Sequence, residues 1–95
     1  MTDFNTTLEK FRARFLARAA HDLSRLRGHQ QGTVLAKPEL LALVHHMAGN
    51  AGMFGFQNIS VLASDVELQL DNDADATPTL EALVALLQET VEPKE

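Results

Sequence analysis

Ninety-five residues, 45% of them hydrophobic and 22% charged, suffice for one small globular domain spanning 1–95 and are too few for a multidomain active site. The absence of cysteine excludes disulfides, thiolate metal sites and a cysteine nucleophile, and suits a reducing cytosol. A net charge of −5 argues against a general nucleic-acid binder, no apolar run is long enough for a membrane span, and the first twenty residues are too charged for a signal peptide.

Charge is unevenly spread. Residues 1–48 carry seven Lys/Arg against four Asp/Glu, while residues 49–95 carry one Lys against nine Asp/Glu. Solvated helix faces and an acidic tail account for this, and so does a basic face that docks an acidic partner.

No stretch alternates with period two. Four segments instead repeat apolar residues at intervals of three and four. The first runs near 3–27, with Phe4, Leu8, Phe11, Phe15, Ala19, Leu23 and Leu26 as its stripe and Gly28 and Gly32 as its stop. The second, near 37–53, starts at Pro38, a favourable first helical residue, and aligns Leu40, Leu41, Val44, Met47, Ala51 and Phe54. The third, near 56–71, aligns Phe56, Ile59, Leu62, Ala63, Val66 and Leu70. The fourth, near 78–91, follows a Thr77 N-cap and Pro78, and aligns Leu80, Leu83, Val84, Leu87 and Val91. Four amphipathic helices with short connections predict an all-α fold, an antiparallel four-helix bundle.

The second segment carries the chemistry. On a helical wheel with Val44 at zero, its apolar residues centre near about −40°, while His45, Gly52, Gly49 and Ala42 fall between about +80° and +160°. His45 therefore points away from the core, onto a face holding only Gly and Ala where long charged side chains are usual. Each glycine costs a helix interior about 0.8–1 kcal/mol relative to Ala. That cost is offset if a neighbouring helix approaches closely, if the helix ends there, or if a foreign protein surface must reach His45.

The run His45-His46-Met47-Ala48-Gly49-Asn50-Ala51-Gly52-Met53-Phe54-Gly55-Phe56 resembles the signature of histidine phosphotransfer (HPt) domains. That pattern has a phosphorylated His, an apolar residue two later, usually Lys three later, and Gly four later. A small residue follows at six, a second Gly at ten and an apolar residue after it. Here these positions read His45, Met47, Ala48, Gly49, Ala51, Gly55 and Phe56. The family's next helix is matched without a gap by Ile59, Ala63, Val66 and Glu67. The close match covers about 28 residues, and the helix pattern extends it over nearly the whole chain.

The resemblance implies that His45 is the phosphoacceptor, through its distal ring nitrogen. An imidazole is mostly neutral at pH 7 and is a competent nucleophile. It places Glu67 where a polar side chain of the adjacent helix bonds the other ring nitrogen; a solvent-facing carboxylate is the plainer alternative. Ala42, His46, Ala48, Gly49 and Gly52 become the docking surface, with His46 at its rim. The expected partners are response-regulator receiver domains or a hybrid histidine kinase, with Mg²⁺ on the receiver and no cofactor on this chain. The protein is expected to be a cytoplasmic monomer that neither binds ATP nor self-phosphorylates. Ala48 departs from the family's usual Lys. Losing a cation beside the imidazole weakens a transfer that rests on positioning and electrostatics, so a non-transferring helical adaptor that docks receivers is the alternative.

Other signals are weaker. Adjacent histidines diverge by about 100° on a helix and do not clasp one metal, and His21 and His29 have no ligand spacing. Asp71-Asn72-Asp73-Ala74-Asp75 opens like a calcium loop, but Ala76 and Ala82 stand where Gly and Glu are required. It reads as an acidic interhelical loop.

Overall fold

A computed structural model describes residues 2–92, with side chains from Thr6 onward. It contains four helices, α1 (Thr2–Gln30), α2 (Lys37–Met53), α3 (Gln57–Asp71) and α4 (Thr77–Val91), and no strand among the described residues. They form a four-helix bundle in which each helix packs beside the next and α4 closes back on α1. The diagonal pairs make no close backbone approach, and α2 against α3 is the most extensive pairing.

The predicted stripes make the core. Phe15, Ala19, Leu23 and Leu26 are buried on α1, Leu40, Val44, Met47 and Ala51 on α2, Ile59, Ala63 and Val66 on α3, and Leu80, Leu83, Val84 and Leu87 on α4. Leu43 joins them, which widens the buried stripe of α2 beyond its sequence-predicted positions. Each fully buried Leu or Ile contributes about 1.5–3 kcal/mol relative to exposure.

Three of the four helices have ends that obey one rule. After α1, the Thr33 N–H bonds the Gly28 carbonyl at 2.8 Å, with Gly32 at φ +110°. After α2, the Phe56 N–H bonds the Ala51 carbonyl at 2.8 Å, with Gly55 at φ +88°. After α3, the Ala74 N–H bonds the Gln69 carbonyl at 2.8 Å, with Asp73 at φ +55°. These are Schellman closures, in which a left-handed residue lets the chain satisfy carbonyls the helix leaves open. They correct one expectation. Gly28 lies inside α1, which runs on to Gln30, and Gly32 alone stops it. They also explain the acidic loop: Asp73 is the left-handed closure of α3, and its carboxylate pairs with Lys37 at 2.6 Å.

The start of α4 needs a second correction. Thr77 is the first helical residue, and Ala76 is the N-cap. The cap acceptor comes from one residue earlier, where the Asp75 carboxylate takes the Thr77 N–H at 3.0 Å.

Helix α1 has 29 residues against 17, 15 and 15 for the others, and it outruns the bundle. Phe15 stacks on Phe56 at 4.7 Å, level with the α2–α3 turn, and no residue from Thr6 to Arg14 is buried. Phe11 was expected to face inward but is 41% exposed, because it lies past the end of the core; one face of its ring stacks on Phe54 at 6.0 Å. Phe4 lies outside the described side chains.

Candidate functional site

Register places the site. Lys37 meets Asp73 at one end of the α2–α3 pair, and Gly52 meets Ser60 near the three-residue turn at the other. An antiparallel pair tied at those points sets His45 opposite Glu67. The His45 Nδ1 lies 2.8 Å from Glu67 Oε2, on a face where the imidazole side chain is 67% exposed and the carboxylate 28%. An ionised carboxylate only accepts, so Nδ1 is the donor and carries the proton. Nε2 is then the nitrogen with a free lone pair, and it points outward on an exposed side chain.

The five residues predicted around His45 do not share one role. Ala42, His46 and Gly49 are exposed. A methyl group built on Gly49 meets nothing within 4 Å, so this glycine opens onto solvent. Gly52 and Ala48 are half-buried. A methyl group on Gly52 falls 3.2 Å from Ser60 Oγ, and that hydroxyl donates to the Ala48 carbonyl at 2.8 Å. Gly52 and Ala48 therefore belong mainly to the α2–α3 contact. Ser60, not anticipated as a site residue, holds that contact between α2 and α3. Only its small size at a helix–helix position hinted at this.

The His45 and His46 rings lie 5.8 Å apart between centroids, tilted by 54°. His21 is exposed and His29 is not beside them. His29 Nδ1 accepts the Leu35 N–H at 2.9 Å and anchors the α1–α2 connection. No cluster of His, Cys, Asp or Glu suited to a metal occurs among the described residues.

The basic half of the chain divides in two. Arg18 pairs with Asp22, Arg25 with Glu39, Arg27 with Glu92 and Lys37 with Asp73. Lys10, Arg12 and Arg14, on the projecting end of α1, have no carboxylate in ion-pair range among the described side chains. Arg12 lies over the Phe56 ring at 6.0 Å and Arg14 over Phe11 at 5.6 Å. Asp22 is the one buried charged residue among the described side chains, held by Arg18 at 3.2 Å.

A shallow groove of 630 Å³ runs between the end of α1 and α4, lined by His29, Leu80, Glu81, Val84 and Gln88 among others. It does not include His45. No helix of the described residues is long and apolar enough to cross a membrane.

The model of one family, described as the Hpt domain, matches residues 10–92. No curated protein and no solved structure matches the chain.

Proposed function

Because the chain belongs to the Hpt domain family, whose members serve histidine phosphotransfer in phosphorelays, we propose that His45 carries a phosphoryl group between receiver-domain aspartates or from a histidine kinase to a response regulator. The observation that carries this reading is the 2.8 Å contact between His45 Nδ1 and Glu67, which leaves Nε2 free on an exposed helix face.

The transfer balances without an added base. The Nε2 lone pair attacks the phosphorus of an aspartyl phosphate. The P–O bond to the aspartate breaks, and its electron pair leaves with the carboxylate. The imidazole keeps its Nδ1 proton and becomes cationic, and the Glu67 carboxylate stabilises that charge through the hydrogen bond already in place. Return of the phosphoryl group to a second aspartate reverses these steps. Mg²⁺ belongs to the receiver partner, and this chain supplies nucleophile, orientation and access. Reacting atoms must come within about 3–3.5 Å, which the open space at Gly49 permits. The cytoplasm, where receivers and kinases meet, is the proposed location, and a monomer is the proposed state.

A second reading rests on one observation. Residues 38–71, which carry His45 and Glu67, contain no Lys or Arg. On that ground a receiver-docking adaptor without efficient transfer is the competing function. One experiment separates the two. The full chain is incubated with phosphorylated receiver domains from the same genome, and label is followed. Transfer yields an acid-labile, base-stable phosphoryl group that His45→Gln abolishes and His46→Gln does not. Binding without label supports the adaptor. Label that survives His45→Gln at the normal rate overturns the assignment.

A further inference from the structure

We propose that His46, in its protonated form, is the countercharge to the phosphoryl group on His45; this rests on the phosphotransfer reading above. A phosphoryl group brings a charge of about −1.5 to −2 near pH 7. Here it would arrive beside Glu67, a further carboxylate 2.8 Å from the same imidazole. Between residues 38 and 71 no Lys or Arg is present to meet this charge, and His45 and His46 are the only histidines. The cationic ring of phosphorylated His45 is already turned to Glu67 through Nδ1. His46 is the remaining group between residues 38 and 71 that can become positive, and Lys37, at the far start of α2, is paired with Asp73. Its ring centroid is 5.8 Å from that of His45, and its exposure costs it little desolvation on charging.

The surroundings of His46 leave this role open. On α2 its neighbours one turn away are Ala42, Leu43, Gly49 and Asn50, none of them charged. On α3 the charged groups at this level are Glu67 and Asp65. On α1, the Arg25–Glu39 and Phe11–Phe54 contacts set the register, and that register brings Arg18 level with His46. Arg18 is engaged by Asp22 at 3.2 Å on its own helix. Arg14, one turn along α1, lies over the Phe11 ring, so Arg18 is the rival cation at this level.

The sign follows from linkage. If protonated His46 favours the phosphorylated state, phosphorylation must favour protonation of His46 by the same factor. For solvated unit charges about 6 Å apart, with a dielectric between that of water and half of it, that factor is about three- to tenfold. The benefit is present where His46 is protonated and is lost as pH rises through its titration.

The test uses the full chain with phosphoramidate as phosphoryl donor. Phosphorus and imidazole NMR signals are followed in wild type, His46→Gln, His46→Lys and Arg18→Gln. Phosphorylation of His45 should move the His46 titration upward by about half to one pH unit, the three- to tenfold factor above. After donor removal, the wild-type label should outlast the His46→Gln label about threefold at pH 6 and equally at pH 8.5. His46→Lys should outlast His46→Gln at both. Acid hydrolysis acts on all variants, so the ratio carries the result. A His46 titration that moves by less than twofold in affinity overturns the proposal. So does equal decay of wild type and His46→Gln at pH 6, or a shortening produced by Arg18→Gln alone. A wild-type chain that takes no label on His45 instead overturns the phosphotransfer reading, and this inference with it.

Discussion

The His45 Nδ1 and Glu67 Oε2 lie 2.8 Å apart across α2 and α3, a contact in which a protonated Nδ1 donates and the neutral ring keeps its lone pair on Nε2. A hydrogen bond to a charged group contributes about 1.5–3 kcal/mol, and the exposure of this pair places it at the low end. Glu67→Ala should therefore slow phosphoryl transfer by about tenfold, while Glu67→Gln, which can still accept at Nδ1, should lose less. Single-turnover transfer from a phosphorylated receiver measures both. Equal rates for wild type and Glu67→Ala would show that the contact has no part in orienting the ring.

Gly49 and Gly52 should respond differently to the same change. Gly49→Ala meets open space and should stabilise α2 by about 0.8–1 kcal/mol. Gly52→Ala presses on Ser60 Oγ, which its hydrogen bond to the Ala48 carbonyl holds in place. It should gain at least about 0.5 kcal/mol less. In a Ser60→Ala background the crowding atom is gone, and Gly52→Ala should recover the difference. Urea melts of the four variants give the coupling, and a coupling of zero would remove the close-approach role of Gly52.

Bulk at Gly49 tests access. Gln is a better helix former than Gly by several tenths of a kcal/mol, so Gly49→Gln should keep or raise the melting temperature. Its side chain stands one turn from His45 and should cut transfer tenfold or more by preventing contact at about 3–3.5 Å. Normal transfer by a well-folded Gly49→Gln would mean that partners do not dock across this face.

Stability should fall in acid through three exposed carboxylates. The hydrogen bond from Arg27, and its charge, hold Glu92 below its ordinary range. Lys37 does the same to Asp73, and the backbone N–H of Thr77 to Asp75. Each group binds its proton more weakly folded than unfolded. Its stabilisation is present above the ordinary carboxylate range and is lost as pH falls through the depressed folded value. The contribution of these three carboxylates should be flat from neutrality to about pH 5 and decline below about pH 4.5. Lys37→Met should flatten the Asp73 part of that decline, and high salt should weaken all the ion pairs. An acid limb unchanged by Lys37→Met would show that the Lys37–Asp73 pair is neutral to folding.

The sequence by itself determined the helices, because an apolar repeat of three and four is a local property that any buried helix must show. It also determined the side on which His45 lies, because wheel position follows from helix geometry alone. The stop at Gly32 was legible for a similar reason, since left-handed closures favour glycine, but nothing in the sequence set it apart from Gly28, which the helix runs through. Asp73, which closes α3 in the same way, was not legible, because its side chain gave no such signal and only the path of the chain shows its φ.

Only the tertiary structure decided what each glycine does. Gly49 and Gly52 both lie off the core stripe of one helix, and the wheel alone does not say which of them meets a neighbour. What separates them is the position of Ser60 on another helix, 3.2 Å from one and far from the other. The same holds for Phe11, a perfect member of its stripe, which is left exposed because α1 is longer than the bundle it joins. Asp22 is buried for the converse reason: it falls on the core-facing side of α1 where Arg18, one turn away, can cover it. Periodicity states which residues face inward along one helix, but where the neighbouring helices begin and end sets what they find there.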